Sequence, residues 1–318
     1  MDTKGDPISD TVTLDPTPVS DPATPAIRTH ALSKRYGRTL GLDSVDLTIP
    51  TGLVFGYLGP NGAGKTTTIR LLMGQLRPSG GSAMVLGLDV ASNRERVQAQ
   101  IGYLPGDFAA YPDLTGLQYL TYLGELRGGV DRAHITGLSE RLGLDLTKKV
   151  GSLSHGNRQK VGLVQAFMHS PPLLILDEPS SGLDPLVQRE FLSMVREARA
   201  AGRTVFLSSH ILAEVEAVAD SVGILRAGRL VIVESVESLR KKALRRLELT
   251  FERDVPVQAL AAVAGVKDVQ VDNRTALLVV EGSTAELISV AAPHGVANVR
   301  TLEAGLEQIF LSFYGEED

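Results

Sequence analysis

The chain has 318 residues, 43% of them hydrophobic, and a formal net charge of −5, enough for one large domain or two smaller ones with a sizeable core. Its acidic balance without a long basic tract argues against nucleic acid as a partner, and the absence of cysteine excludes disulfides and thiolate metal sites. No apolar run approaches the ~20 residues of a bilayer-spanning helix, and no basic-then-apolar leader opens the chain, so a soluble protein is expected, with any membrane role supplied by another chain.

In chain order, 1–26 comes first. It holds five prolines and five aspartates with few large apolar residues, which predicts a solvated, disordered leader. Strand-like patterns follow over Ile27 to Leu32 and over Leu42 to Ile49, with Lys34-Arg35-Tyr36-Gly37 between them. The Tyr36 ring offers a flat face to an adenine base, although turn packing is the plainer role for a lone aromatic before a glycine.

The stretch Gly59-Pro60-Asn61-Gly62-Ala63-Gly64-Lys65-Thr66-Thr67 carries the strongest chemistry. An apolar run, Leu53 to Leu58, precedes it as a buried strand, and Ile69 to Leu76 follows with helical spacing. Strand, glycine-rich turn and helix make G-x-x-x-x-G-K-[ST] a phosphate cradle. The glycines let successive N–H groups approach anionic oxygens, and the helix start adds unpaired donors. Lys65 suits the β- and γ-phosphates, and the Thr66 hydroxyl suits a Mg²⁺ shell. A nucleoside triphosphate is the expected ligand.

Arg77 to Ser82 reads as a turn before a strand at Ala83 to Leu86, and Ile101 to Leu104 as a short strand stopped by Pro105. From Gly106 to about Val150 the pattern is helical, with Leu117, Leu120, Leu123 and Leu126 on one stripe and breaks at Gly128-Gly129 and Gly143. Ser154 is the expected N-cap of a helix over Val161 to His169. Leu173-Leu174-Ile175-Leu176-Asp177-Glu178 then reads as a buried strand delivering two carboxylates at its C-terminal edge, where open parallel sheets place ligands. Asp177 is the candidate Mg²⁺ ligand, and Glu178 the residue that orients or deprotonates an attacking water. Val205 to Ser209 is a further buried strand ending at His210, a candidate donor to the γ-phosphate.

Over 27–240 these residues resemble the nucleotide-binding subunit of an ATP-binding cassette (ABC) transporter. The resemblance implies that Tyr36 stacks on adenine, that Gly59, Asn61, Gly62, Gly64, Lys65, Thr66 and Thr67 form Walker A, and that Asp177 and Glu178 form Walker B with the catalytic glutamate. It implies a D-loop at Ser181-Gly182-Leu183-Asp184 and a switch histidine at His210. Leu153-Ser154-His155-Gly156-Asn157 resembles the signature L-S-G-G-Q, with His155 and Asn157 as departures; Ser154 and Gly156, expected at the γ-phosphate, are retained. Gly106 stands where the family carries a glutamine that reaches Mg²⁺, so either Asp107 contributes a carboxylate or the ion keeps a water.

With one Walker A, one signature and no internal repeat, the resemblance implies a head-to-tail dimer of two copies around ATP. It also implies a separate polytopic permease, docked at the helical insert (106–165) near Phe108, Tyr111 and Leu114 unless those three only pack the core. The expected location is cytoplasmic, on the inner face of the membrane. After Arg240 the pattern restarts as βαββαβ, which suits a small ferredoxin-like α+β domain over 245–318 closed by a helix at Leu306 to Tyr314. That tail resembles those of bacterial drug- and antibiotic-exporting ATPases, which favours export over import or a soluble regulatory role. The expected fold is α/β: a P-loop NTPase of ABC type with a RecA-like sheet core, a helical subdomain and the C-terminal domain.

Overall fold

The computed structural model describes residues 24–242, 245–281 and 283–302. The predicted closing helix at Leu306 to Tyr314 and nearly all of the predicted leader lie outside them.

Strands β1 (Ile27–Tyr36) and β2 (Thr39–Ile49) form a hairpin whose last pair is Tyr36 with Thr39. Lys34, Arg35 and Tyr36 therefore belong to a strand, where the sequence predicts a connection. Ladder pairing across a two-residue turn at Gly37 and Arg38, with Gly37 at φ 59°, overrides their polar character. Strands β4 (Gly80–Val85) and β5 (Leu88–Asp89) extend this antiparallel sheet in the order β2-β1-β4-β5.

A six-stranded sheet forms the centre. Its order is β10 (Arg229–Ser235), β9 (Ser221–Arg226), β3 (Val54–Leu58), β8 (Thr204–Ser209), β7 (Leu173–Asp177) and β6 (Ile101–Leu104), parallel except for β10. Every residue of β3, β7 and β8 is buried, as expected for strands covered on both faces. Alternation along them feeds two cores. Val54, Leu58, Leu174, Leu176, Val205 and Leu207 join one, with α5 (His155–Phe167) and α6 (Pro185–Ala200). Phe55, Tyr57, Leu173, Ile175 and Phe206 join the other, with α1 (Lys65–Leu72), α2 (Arg94–Ala99) and the antiparallel sheet. Helix α1 stops four residues short of Leu76, because Gly74 turns the chain at φ 63°.

Between β6 and β7 lie α3 (Gly116–Leu126) and α4 (Arg132–Arg141). Thr115 and Gln118 make a reciprocal capping box at α3, and Asp131 caps α4. Arg141 fastens α4 to α6 through both Glu197 carboxylate oxygens, at 2.6 and 2.7 Å, and through Glu190 at 2.6 Å. Beyond β8 come α7 (Leu212–Glu216) and α8 (Val236–Lys242).

The last sheet has the order β12 (Val266–Asp272), β13 (Thr275–Val280), β11 (Arg245–Phe251) and β14 (Val296–Leu302), all antiparallel. With α9 (Val257–Ala261) after β11 and α10 (Ala285–Ala291) after β13, the connectivity is βαββαβ. Leu247, Leu249 and Phe251 alternate inward with Ala276, Leu278 and Val280 onto Leu260 and Leu287.

Candidate nucleotide site

The C-terminal ends of β3, β6, β7 and β8 open on one edge of the central sheet, where a parallel sheet presents ligands. The Gly59–Thr67 loop leaves β3 there, Asp177 ends β7, and His210 follows β8. Gly64 is the N-cap of α1 at φ 111°, and a Cβ on it would lie 2.7 Å from the Gly41 carbonyl, so only glycine fits. Lys65 is 6% exposed. Its Nζ donates to the carbonyls of Gly59 at 2.6 Å and Pro60 at 3.2 Å.

Asp177 is fully buried and satisfied on both oxygens. Thr66 Oγ1 donates to Oδ2 at 2.8 Å, and Ser208 Oγ donates to Oδ1 at 2.5 Å. Glu178 has a positive φ of 49°, and its N–H donates to Ser208 O and Oγ, both at 3.2 Å. One Glu178 oxygen, Oε2, meets His210 Nδ1 at 2.6 Å. The other, Oε1, faces Lys65 Nζ at 3.1 Å as an ion pair outside hydrogen-bond alignment, and is buried without another partner among the described residues. The structure thus brings Lys65, Thr66, Asp177, Glu178 and His210 into one connected cluster.

Neighbouring groups feel that negative charge. Burial first, and then Asp177, push the Tyr103 hydroxyl up to about 12. Burial raises the Glu214 carboxyl against the Ser180 hydroxyl, which donates to it at 2.5 Å.

Among the described residues no group of three or more His, Cys, Asp or Glu forms a metal cluster. Thr66 Oγ1 and Asp177 Oδ2, already 2.8 Å apart, are two hard oxygen donors. That pair suits Mg²⁺, which takes its remaining ligands from water and phosphate. Gly106 lies beside them: a Cβ built on it falls 3.3 Å from Asp177 Oδ2. The position does face the carboxylate, and glycine leaves it without a side-chain ligand.

The other expected residues occupy separate places. Tyr36 is 46% exposed, with its hydroxyl 3.5 Å from Thr67 Oγ1 and Lys34 Nζ 5.5 Å from its ring centroid. Ser154 caps α5, accepting from the Asn157 N–H at 3.4 Å, so the helix begins at His155, six residues earlier than its apolar pattern. Asp184 caps α6, and the N–H of Val187 leads the contacts that hold its carboxyl below the usual range. Asn61 and Gly62 are exposed on the loop. Two contributors escape sequence reading. Ser208 is one residue in a buried strand, and Gln159 looks like an ordinary polar helix residue, yet it is 1% exposed and reaches across to the end of β7.

A β-strand, a glycine loop cradling a lysine, and a buried strand-end aspartate define a P-loop nucleoside triphosphatase. The ABC transporter family profile matches residues 42–181. The bacitracin transport ATP-binding protein BcrA of Bacillus licheniformis is 31% identical over 297 residues, 91% of this chain and 97% of that protein. The daunorubicin/doxorubicin resistance ATP-binding protein DrrA of Streptomyces peucetius is 37% identical over 265 residues, 80% of each chain. A solved ATP-binding subunit of an ABC transporter shares 32% identity with a TM-score of 0.63, covering 68% of this chain and 92% of that one. The chain belongs to the ABC transporter family as an ATP-binding subunit, an ATPase.

Proposed function

We propose that this ATPase powers export of a drug-, antibiotic- or lipid-like molecule through a separate polytopic permease. The observation that carries the ATPase chemistry is the cluster in which Lys65 and His210 hold the two oxygens of Glu178. Export is supported by relatives named for bacitracin transport and daunorubicin resistance, the former matched over nearly its whole length. Among the described residues no helix is long and apolar enough to cross a membrane, in keeping with a partner chain that lines the route.

In this reading ATP lies along the Gly59–Thr67 loop with Tyr36 at its base, and Thr66 and Asp177 hold Mg²⁺, which supplies charge neutralisation at the phosphates. The γ-phosphate competes with Glu178 for the Lys65 ammonium. Released from that pair, Glu178 accepts a proton from water attacking the γ-phosphorus, while His210 keeps its carboxylate oriented. The bond to the leaving oxygen breaks, giving ADP and phosphate. Ser154, Gly156 and Asp184 face the triphosphate of a second copy in a head-to-tail dimer, which ATP favours and hydrolysis releases. Tyr111, 58% exposed and packed edge-on against Tyr119 and Tyr122, marks the permease-facing side of the helical insert.

Glu178→Gln tests the assignment. It should keep ATP binding and accumulate an ATP-bound dimer in size-exclusion chromatography, while hydrolysis falls roughly 100-fold or more. Full activity in that variant would remove Glu178 as the base. Capture of the tagged chain from gently solubilised membranes tests the transport reading; a stoichiometric polytopic protein is expected, and soluble partners alone would overturn it.

A further inference from the structure

We infer that Gln159 is a positioning residue for hydrolysis, tying the start of α5 to the backbone of Glu178; this deepens the reading of Glu178 as the base and rests on it. Glu178 follows β7 in the left-handed region at φ 49°, a conformation that a residue with a Cβ adopts only when its surroundings impose it. Its N–H is anchored to Ser208 O and Oγ at 3.2 Å. Its carbonyl is anchored from the other side. Gln159 Nε2 donates to Glu178 O at 3.3 Å and to Pro179 O at 3.2 Å, using both amide hydrogens on consecutive carbonyls.

Gln159 sits in the second turn of α5, the helix that Ser154 caps. A second contact joins the same two segments. A Cβ on Gly156 would lie 2.3 Å from Gly182 O, so the loop after Glu178 rests directly on the first turn of α5. Helix start and loop are thus joined at Gln159 with 178–179 and at Gly156 with 182. A displacement of the α5 start therefore pulls on the peptide that aims the Glu178 carboxylate. Gln159 touches no reacting atom; it acts through Glu178.

The test compares Gln159→Met, Gln159→Glu and Glu178→Gln in the full chain. Methionine keeps length and volume but removes both donors, so kcat should fall about tenfold while KM for ATP and the Kd of a fluorescent ATP analogue stay within about twofold. In Gln159→Glu the ionised carboxylate opposes two carbonyl oxygens, whereas its protonated form restores one donor in a side chain of the same shape. The kcat of this variant relative to wild type should therefore rise as pH falls from about 8 to 6. A folded Gln159→Met with unchanged kcat, a parallel loss of binding and turnover, or a flat pH ratio would overturn the inference. Should the methionine variant fail to fold, the pH ratio decides. Loss of hydrolysis in Glu178→Gln alongside normal Gln159 variants would reject Gln159 alone; full hydrolysis in Glu178→Gln would reject the base itself.

Discussion

A Cβ added at Gly106 would lie 3.3 Å from Asp177 Oδ2, closer than an ordinary van der Waals contact. A side chain there would meet the carboxylate that Thr66 and Ser208 already hold. A glutamine there would start from a Cβ next to the carboxylate and would bring an amide oxygen, a hard donor, to the neighbourhood of the Thr66–Asp177 pair. Gly106→Gln should therefore lower the Mg²⁺ concentration for half-maximal ATPase activity severalfold, and a Mg²⁺ titration at saturating ATP would measure it. An unchanged midpoint would mean that water serves the ion as well as the amide. Local chemistry made this part of the site legible: a glycine loop with Lys65 and Thr66, and an apolar strand ending in Asp177 and Glu178, announce themselves within a few residues. The contacts that complete it were not legible. Ser208 lies 31 residues from Asp177 and Gln159 lies 19 from Glu178, and only the folded sheet brings those pairs together.

At the scale of elements, boundaries were misread where tertiary pairing or a glycine overrode the local pattern, as with the strand that runs on through Tyr36 and the helix that ends at Leu72. Attachment between elements is also tertiary, and Arg141 is the clearest case. Its guanidinium bridges α4 to two carboxylates of α6 with bidentate geometry at Glu197. The side chains are part-exposed, so the network is worth only about 1 kcal/mol after solvent screening. Its pH dependence has a definite sign. Arg141 foremost holds the Glu197 carboxyl below its ordinary range. A depressed folded value means that the stabilisation is complete above the ordinary Glu value of about 4.3 and is lost as pH falls below it, through the depressed one. Arg141→Met should thus lower the urea-unfolding free energy by about 1 kcal/mol at pH 7. The gap to wild type should close as pH approaches 3; a gap independent of pH would assign the loss to packing of the Arg141 stem instead.

At the largest scale, the three hydrophobic clusters among the described residues are disjoint, and the one formed by β11 to β14 with α9 and α10 shares no described buried residue with the two that flank the central sheet. The βαββαβ order was readable because short stretches with recurring apolar residues, separated by turn residues, mark the strands, whereas how far the chain stays with the central sheet is seen only in the packing of α8. Val236 is 5% exposed and Leu239 is 2% exposed, and both belong to the same hydrophobic core of the central sheet that α5 and α6 join. Helix α8 therefore packs with the central-sheet core rather than with the C-terminal sheet, and every proposed site residue precedes it. We propose that a chain ending at Lys242 folds and binds ATP with a Kd within about twofold of the full protein. A chain ending at Ser235 leaves the cavity of two aliphatic side chains and should lose roughly 3–6 kcal/mol. Thermal unfolding and ATP titration of both truncations test this together. If the longer truncation loses ATP binding, the C-terminal sheet supports the site; if the shorter one matches it in stability, α8 is dispensable and the boundary lies nearer β10.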